Sequence, residues 1–118
     1  MISNRAAKHI WDARRAAERI VSFTAGQTFD DYVSNQMLSS AIERQFEIIG
    51  EALLRLRRTD PDVAEMVPEI NKIIGFRNVL VHDYDSVDFR RVWVTVQDDL
   101  PKLISILTDL LRQAPPLE

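Results

Sequence analysis

The chain has 118 residues, 46% of them hydrophobic, which is enough for one domain with a real core and too few for two. It contains no cysteine, which excludes a disulfide framework and a thiolate metal site, and its two histidines lie far apart, which argues against zinc. The formal net charge of -3 does not suit a protein that grips nucleic acid through a broad basic surface.

We expect a single domain spanning residues 1–118 in a reducing cytoplasm, with no metal, no cofactor and no membrane contact. No apolar run approaches the roughly 20 residues that a membrane span needs, and the first residues lack the apolar segment of a signal peptide. Twelve of the fifteen basic residues are arginines, which favour bidentate contacts with phosphate. Those that could form a local basic groove, or else lie on solvated faces and in ion pairs, are Arg14, Arg15, Arg55, Arg57, Arg58, Arg90 and Arg91.

The beginning of the chain predicts one long helix and a short connection. Apolar or small residues recur at helical spacing over about residues 3–24, with Ser3 as the N-cap and Gly26 as the stop. Residues 28–34 predict a connection with one short turn, because Thr28 followed by two aspartates resembles a capping arrangement.

A second long helix is predicted over residues 35–57. Gly50 lies inside it, which indicates either the close approach of another helix or room for a ligand. Glu43, Glu47 and Glu51 recur every four residues along one side. These glutamates form either a charged outer face or, for Glu51 beside the glycine, a group that orients Arg77 or His82.

The second half of the chain predicts further helices. The Asp-Pro pair at 60–61 marks a break, and Pro68 opens a helix. Asp85 or Ser86 caps a last helical region, whose apolar phase continues across Pro101 as one kinked helix or two stacked ones. With three glycines and no alternating strand pattern, we expect an all-α antiparallel bundle of four to five helices.

Residues 76–84 hold the densest chemistry in the chain. They contain Arg77, His82 and Tyr84, with Asn78 between them. A guanidinium binds phosphate, an imidazole moves a proton near neutral pH, and a phenol donates a proton or is modified. The segment lies at the C-terminal end of its predicted helix, where backbone geometry becomes irregular and side chains can face a cleft.

Helix geometry limits how these groups can cooperate. At about 100° per residue, Arg77 and Tyr84 point within about 20° of one another, whereas His82 points about 140° from Arg77. Either the helix loosens around His82 and Asp83, or a second copy of the chain completes the site across a two-fold axis. A structural interpretation also remains open, in which Arg77 pairs with an acid, His82 lies at the surface and Tyr84 caps a core.

The same segment resembles a known motif. Residues 77–84, RNVLVHDY, are similar to the R-x-x-x-x-H-x-Y motif of the HEPN superfamily, including the polar residue that the superfamily favours after the arginine. The flanking sequence resembles the HepT branch, with FEIIGEA at 46–52, Val-Asp at 87–88, Val-Trp at 92–93 and DLPKL at 99–103. The similarity covers nearly the whole chain, and the combined pattern is far more specific than the central motif.

The resemblance implies the toxin of a toxin–antitoxin pair, a metal-independent endoribonuclease whose homodimer holds two motifs at a shared cleft. It implies that His82 moves a proton during attack by a ribose 2'-hydroxyl and that Arg77 stabilises charge on the phosphate. Asn78 would hold Arg77 or the phosphate. The implied antitoxin is a minimal nucleotidyltransferase of the MntA type, which transfers AMP to Tyr84 and thereby blocks RNA.

Two other hypotheses compete with the nuclease. The chain is either a helical dimer that binds a nucleotidyltransferase, and nucleotide or RNA without cutting it, or a purely structural bundle. The acidic net charge also sets a condition on the nuclease hypothesis, because RNA would bind well only where a cleft concentrates the arginines into a region of positive potential.

Overall fold

The computed structural model describes residues 2–114, and of Tyr84 the backbone alone. Its helices are α1 (Asn4–Thr24), α2 (Phe29–Ser34), α3 (Gln36–Thr59), α4 (Pro61–Ala64), α5 (Ile70–His82), α6 (Phe89–Val94) and α7 (Leu100–Leu111). A 3-10 turn, Tyr84–Ser86, precedes α6, and a π-helical segment, Thr95–Asp99, joins α6 to α7. Residues 2–114 contain no strand, so the predicted all-α class is confirmed.

Local capping signals define the first part of the chain. The Oγ of Ser3 accepts a hydrogen bond of 3.1 Å from the backbone N–H of Ala6 and so caps α1. Gly26 follows the end of the helix with φ of 74°, a left-handed conformation that glycine adopts without strain. Thr28 and Asp31 cap each other's backbone N–H groups reciprocally, and this capping box starts a short helix where the sequence predicted one turn.

Helix α3 is the central element of the bundle. It packs against both α1 and α5, while α1 also packs against α7. Helices α3 and α5 run antiparallel, because Arg57 near the end of α3 bonds Asn71 near the start of α5, whereas Gly50 meets Arg77 farther along α5. The largest fully buried side chains are Tyr32, Phe46, Ile10, Ile20, Ile42, Ile49, Leu53, Leu56, Leu100 and Leu107.

Helix α5 begins at Ile70 and not at Pro68, which corrects the sequence prediction. Between them, Glu69 has φ of 58° and supplies no side-chain cap. A residue in this left-handed region breaks the helical path, so the helix cannot continue back to the proline.

The last helical region is capped by Asp88, where the sequence predicted Asp85 or Ser86. The Oδ1 of Asp88 accepts from the backbone N–H groups of Arg90 at 3.0 Å and Arg91 at 3.3 Å. Asp85 and Ser86 belong instead to the 3-10 turn that follows α5.

The helical phase continues across Pro101, as the sequence predicts. Proline has no N–H to donate into the preceding turn, and its ring crowds that turn. The π-helical segment just before it widens the backbone, and α6, this segment and α7 follow one another without a break in helical geometry. Over residues 2–114, none of the helices combines the length and the apolar character that a bilayer span requires.

Candidate functional site

Arg77 lies on the side of α5 that faces α3. Its Nη2 is 3.1 Å from Oε2 of Glu51, and its Nη1 donates a hydrogen bond of 3.0 Å to Oδ1 of Asn78. The Arg77 side chain is 23% exposed, so part of the guanidinium remains open to solvent. Two neighbours therefore fix the direction of a cation that an anionic ligand can still reach.

Glu51 lies between two arginines. Its Oε1 accepts a hydrogen bond of 3.1 Å from Nε of Arg55, one helical turn farther along α3. Its Oε2 is buried and close to Arg77 but not in line with an N–H of that guanidinium, so the contact is an ion pair without a hydrogen bond. The Glu51–Arg77 contact therefore has capacity left for a better-aligned partner.

Gly50 allows α5 to approach α3 at Arg77. A Cβ on Gly50 would overlap the Cβ of Arg77, lie 2.8 Å from its Cγ and come within 3.4 Å of the carbonyl oxygen of Ile73. The close approach of another helix, one of the two interpretations of this glycine, is thus what the structure contains. The crossing point sets the position of the Arg77 side chain.

His82 is the last residue of α5, and its side chain is exposed. The backbone leaves helical geometry only at Asp83, which has φ of -146° and ψ of 56°. His82 therefore keeps its helical direction, about 140° around the axis from Arg77. Among the described residues, no hydrogen bond or ion pair joins these two side chains. The helix does not loosen early enough to bring them together within one chain.

Tyr84 follows in the 3-10 turn, which is closed by a bond of 2.9 Å from the Ser86 N–H to the Asp83 carbonyl. The hydroxyl of Ser86 also donates to Oδ2 of Asp83 at 2.8 Å. The predicted modification concerns the Tyr84 side chain, which lies outside the described part of the molecule.

Two features near α3 were missed in the sequence. Arg55 holds Glu51, and its spacing of four residues from that glutamate is the signal that predicts such a pair. Glu43 was grouped with an outer charged face, but it is only 4% exposed and accepts a hydrogen bond of 3.1 Å from the hydroxyl of Tyr32. That grouping is wrong for Glu43, because this turn of α3 faces the aromatic residue of α2.

No group of three or more His, Cys, Asp or Glu side chains within residues 2–114 is arranged to hold a metal ion. His9 lies in α1 and has a lowered pKa. Burial lowers that pKa, Asp12 partly opposes the shift, and Arg55, Lys8 and Arg5 add to it.

Comparisons with known proteins identify the family of the chain. Residues 13–110 match the model of the family described as "Ribonuclease HepT-like". The chain is 31% identical over 96 residues to "Putative RNase MJ1380" of Methanocaldococcus jannaschii, covering 80% of this chain and 85% of that protein. It is 34% identical over 97 residues to "Probable ribonuclease HepT" of Thermococcus cleftensis, covering 80% and 86%. No solved structure matches the chain significantly. The extent of the family match and these two relatives show that the chain belongs to the HepT-like ribonuclease family.

Proposed function

We propose that this protein is a cytoplasmic endoribonuclease that cuts RNA without a metal ion and serves as the toxin of a toxin–antitoxin pair. The observation that carries the proposal is Arg77, a partly exposed cation held in a fixed direction by Glu51 and Asn78, near the helix end that carries His82. The matched family and the printed names of the relatives support ribonuclease chemistry as the type of reaction.

In the proposed reaction, the 2'-hydroxyl of the ribose attacks the adjacent phosphorus. His82 accepts the hydroxyl proton as the new P–O bond forms, or donates a proton to the leaving 5'-oxygen as the old P–O bond breaks. Arg77 binds the phosphate oxygens, whose negative charge grows in the transition state. The products are a 2',3'-cyclic phosphate and a free 5'-hydroxyl, so the attacking group comes from the RNA itself.

A homodimer would bring the diverging groups together. Arg77 and His82 point about 140° apart on one helix, so a two-fold axis beside α5 would let two copies of the motif share one cleft. Val79 and Val81, on the same part of α5, are 36% and 46% exposed. Because they are two residues apart, these valines point about 160° from one another, so they do not form one apolar patch and the proposed dimer is supported by the divergence of Arg77 and His82.

Neutralisation would act at Tyr84. We propose that an MntA-like minimal nucleotidyltransferase transfers AMP to the Tyr84 hydroxyl. The added nucleotide would bring a negative phosphate and considerable bulk next to Arg77 and His82, so it would repel RNA and occupy its path. The support for this step is the resemblance of residues 77–84 to the HEPN motif.

The test is cleavage of total cellular RNA by purified protein in EDTA. Wild type is compared with His82→Ala, Arg77→Ala and Arg77→Lys, and the intact mass of each protein is recorded to exclude a modified Tyr84. We expect cleavage by wild type, loss with both alanine variants and only partial activity with lysine, which keeps the charge but not the planar fork. Circular dichroism and dimerisation should remain unchanged.

The competing binding module predicts a different pattern. Unmodified wild type would leave RNA intact with or without added Mg²⁺, while still binding RNA or a nucleotidyltransferase. That result would refute the nuclease proposal and leave the module as the better description. If Arg77→Ala and His82→Ala alter stability alone, the chain is a structural bundle.

A further inference from the structure

Helix α1 is strongly basic although the protein is acidic. Its 21 residues carry five basic side chains and two acidic ones, a net charge of +3 in a chain whose total is -3. Both acids are already paired, Asp12 with Lys8 at 2.8 Å and Glu18 with Arg14 at 3.0 Å. The remaining cations, Arg5, Arg15 and Arg19, have no acidic partner within residues 2–114. Their charge is available to an anionic ligand.

A groove of about 370 Å³ runs between α1 and α3 and is called the α1 groove below. Helix α1 lines it with Trp11, Asp12, Arg15 and Arg19, and α3 lines it with Arg44, Glu47, Glu51 and Arg55, so four arginines face three acids. Arg44 is already paired with Glu47 at 3.1 Å, as Arg55 is with Glu51. The unpaired positive charge of the groove therefore lies on its α1 wall.

Trp11 gives the α1 groove an aromatic surface. The residue is 38% exposed, which is unusual for a side chain of this size. Two cations lie over its ring, the Arg15 guanidinium carbon at 5.1 Å and the Lys8 Nζ at 6.0 Å from the ring centre. A nucleobase that stacks on the ring would take the place of such a cation, whose charge would then be available to the phosphate.

The α1 groove shares one residue, Glu51, with the proposed catalytic site, whereas Arg77 and His82 do not line it. Glu51 lines the groove, and its Oε2 is the atom that lies 3.1 Å from Nη2 of Arg77. His9 also lines the groove, and its pKa is lowered by burial and further by Arg55, Lys8 and Arg5, against Asp12.

We infer that the α1 groove binds the single-stranded RNA that leads to the cleaved phosphate, with Trp11 stacking on a base and Arg15 and Arg19 contacting phosphates. The inference rests on the proposed ribonuclease function, to which it adds the path of the substrate. Trp11 and Arg19 are eight residues apart on one helix, about 12 Å, so the groove would hold a short run of nucleotides. Charge complementarity favours RNA over a second copy of this acidic chain as the occupant.

Binding is measured with a fluorescent single-stranded RNA at several salt concentrations, in a His82→Ala background so that no cleavage occurs. We expect Trp11→Ala to weaken binding about 5- to 150-fold, as for loss of one stacked base, and Trp11→Phe to weaken it less. The double variant Arg15→Gln/Arg19→Gln should lower the slope of log K against log salt by about 1.4, since each lost contact with a single strand removes about 0.7. Arg58→Gln, an exposed arginine outside the groove, is the matched control and should change neither quantity.

Kinetics with the cleavable protein give a second measurement. The groove variants should raise the KM for a long RNA more than the KM for a dinucleotide, whose one phosphodiester is the one that Arg77 would bind. A purely structural effect on the fold would instead reduce kcat on both substrates together.

Several results would overturn the inference. If the Trp11 and Arg15/Arg19 variants have the same RNA affinity and salt slope as Arg58→Gln, RNA does not bind in the groove. Loss of dimerisation in Trp11→Ala would assign the groove to a second copy, and loss of nucleotidyltransferase binding with unchanged RNA affinity would assign it to that partner. If wild type fails to cut RNA but its RNA binding depends on Trp11, the groove inference holds and the nuclease proposal fails, so the two are tested separately.

Discussion

Replacing Gly50 with alanine tests whether the α3–α5 crossing positions Arg77. The added methyl group would overlap the Cβ of Arg77 and crowd its Cγ at 2.8 Å. Both Cβ atoms are fixed to their backbones, so the helices must separate until the carbons reach an ordinary contact of about 3.5–4.0 Å. Such overpacking costs about 1–3 kcal/mol, and the separation also lengthens the 3.1 Å contact between Arg77 and Glu51.

Gly75 is the matched control for this substitution. It too lies inside a helix, but a Cβ placed there would meet nothing within 4 Å. Both glycine-to-alanine changes gain about 1 kcal/mol of helix propensity, so this gain cancels when the two variants are compared. The difference in stability between them is therefore the overpacking cost alone, about 1–3 kcal/mol, with Gly75→Ala the more stable protein.

Thermal and urea denaturation of the two variants measure this difference. At about 4 °C per kcal/mol for a chain of this size, the melting temperatures should differ by at least about 4 °C. RNA cleavage, assayed well below either transition, should fall in Gly50→Ala and persist in Gly75→Ala. Equal melting temperatures would refute the proposed crossing, and full cleavage by a destabilised Gly50→Ala would refute its role in positioning Arg77.

Three further predictions concern other parts of the bundle. Tyr32→Phe removes a hydrogen-bond donor to the buried carboxylate of Glu43, so the free energy of unfolding in urea should fall by about 1–3 kcal/mol. Glu43→Gln keeps an acceptor for the Tyr32 hydroxyl, and a loss of stability in Tyr32→Phe no larger than in Glu43→Gln would contradict the prediction. The pKa of folded His9 lies below its unfolded value, so the unfolded chain binds a proton more readily and stability falls as pH drops through about 6.5 toward the lowered pKa. His9→Gln should therefore lose less stability than wild type between neutral and mildly acidic pH, and equal losses would exclude His9 as the cause. Asp88→Ala should lower the free energy of unfolding by about 1 kcal/mol because it removes the N-cap of α6, whereas Ser86→Ala should lower it by less than about 0.5 kcal/mol. A larger loss in Ser86→Ala would favour the cap that the sequence predicted.

The features that the sequence predicts well are those decided within one helical turn. Ser3 accepts from the N–H of Ala6 and Asp60 accepts from the N–H of Val63, each three residues farther along the chain. The same holds for the reciprocal cap at Thr28. In each case donor and acceptor are close along the chain, so their contact does not depend on how the helices pack.

The features that it predicts poorly depend on packing between distant segments. The burial of Glu43 requires knowing which turn of α3 lies under Tyr32, and helical periodicity alone does not supply this. The start of α5 was predicted wrongly for a local reason. Glu69 adopts a left-handed conformation, which a glycine or asparagine at this position would have predicted but a glutamate does not. The motif combines a local feature with a distant one. Its spacing predicts the 140° divergence of Arg77 and His82, but the group that would complete the site would belong to a second copy of the chain.

Net charge is the property of this sequence that misleads most about nucleic acid. A total of -3 argues against a basic surface, but the charge is unevenly distributed along the fold. Residues 83–99 contain five aspartates and two arginines, whereas α1 alone carries a net charge of +3. A charged ligand responds to the local potential within about 10 Å, which is the screening length in moderate salt. An acidic protein can therefore offer RNA a basic groove, and the relevant prediction from sequence is the charge of each helix face and not the charge of the chain.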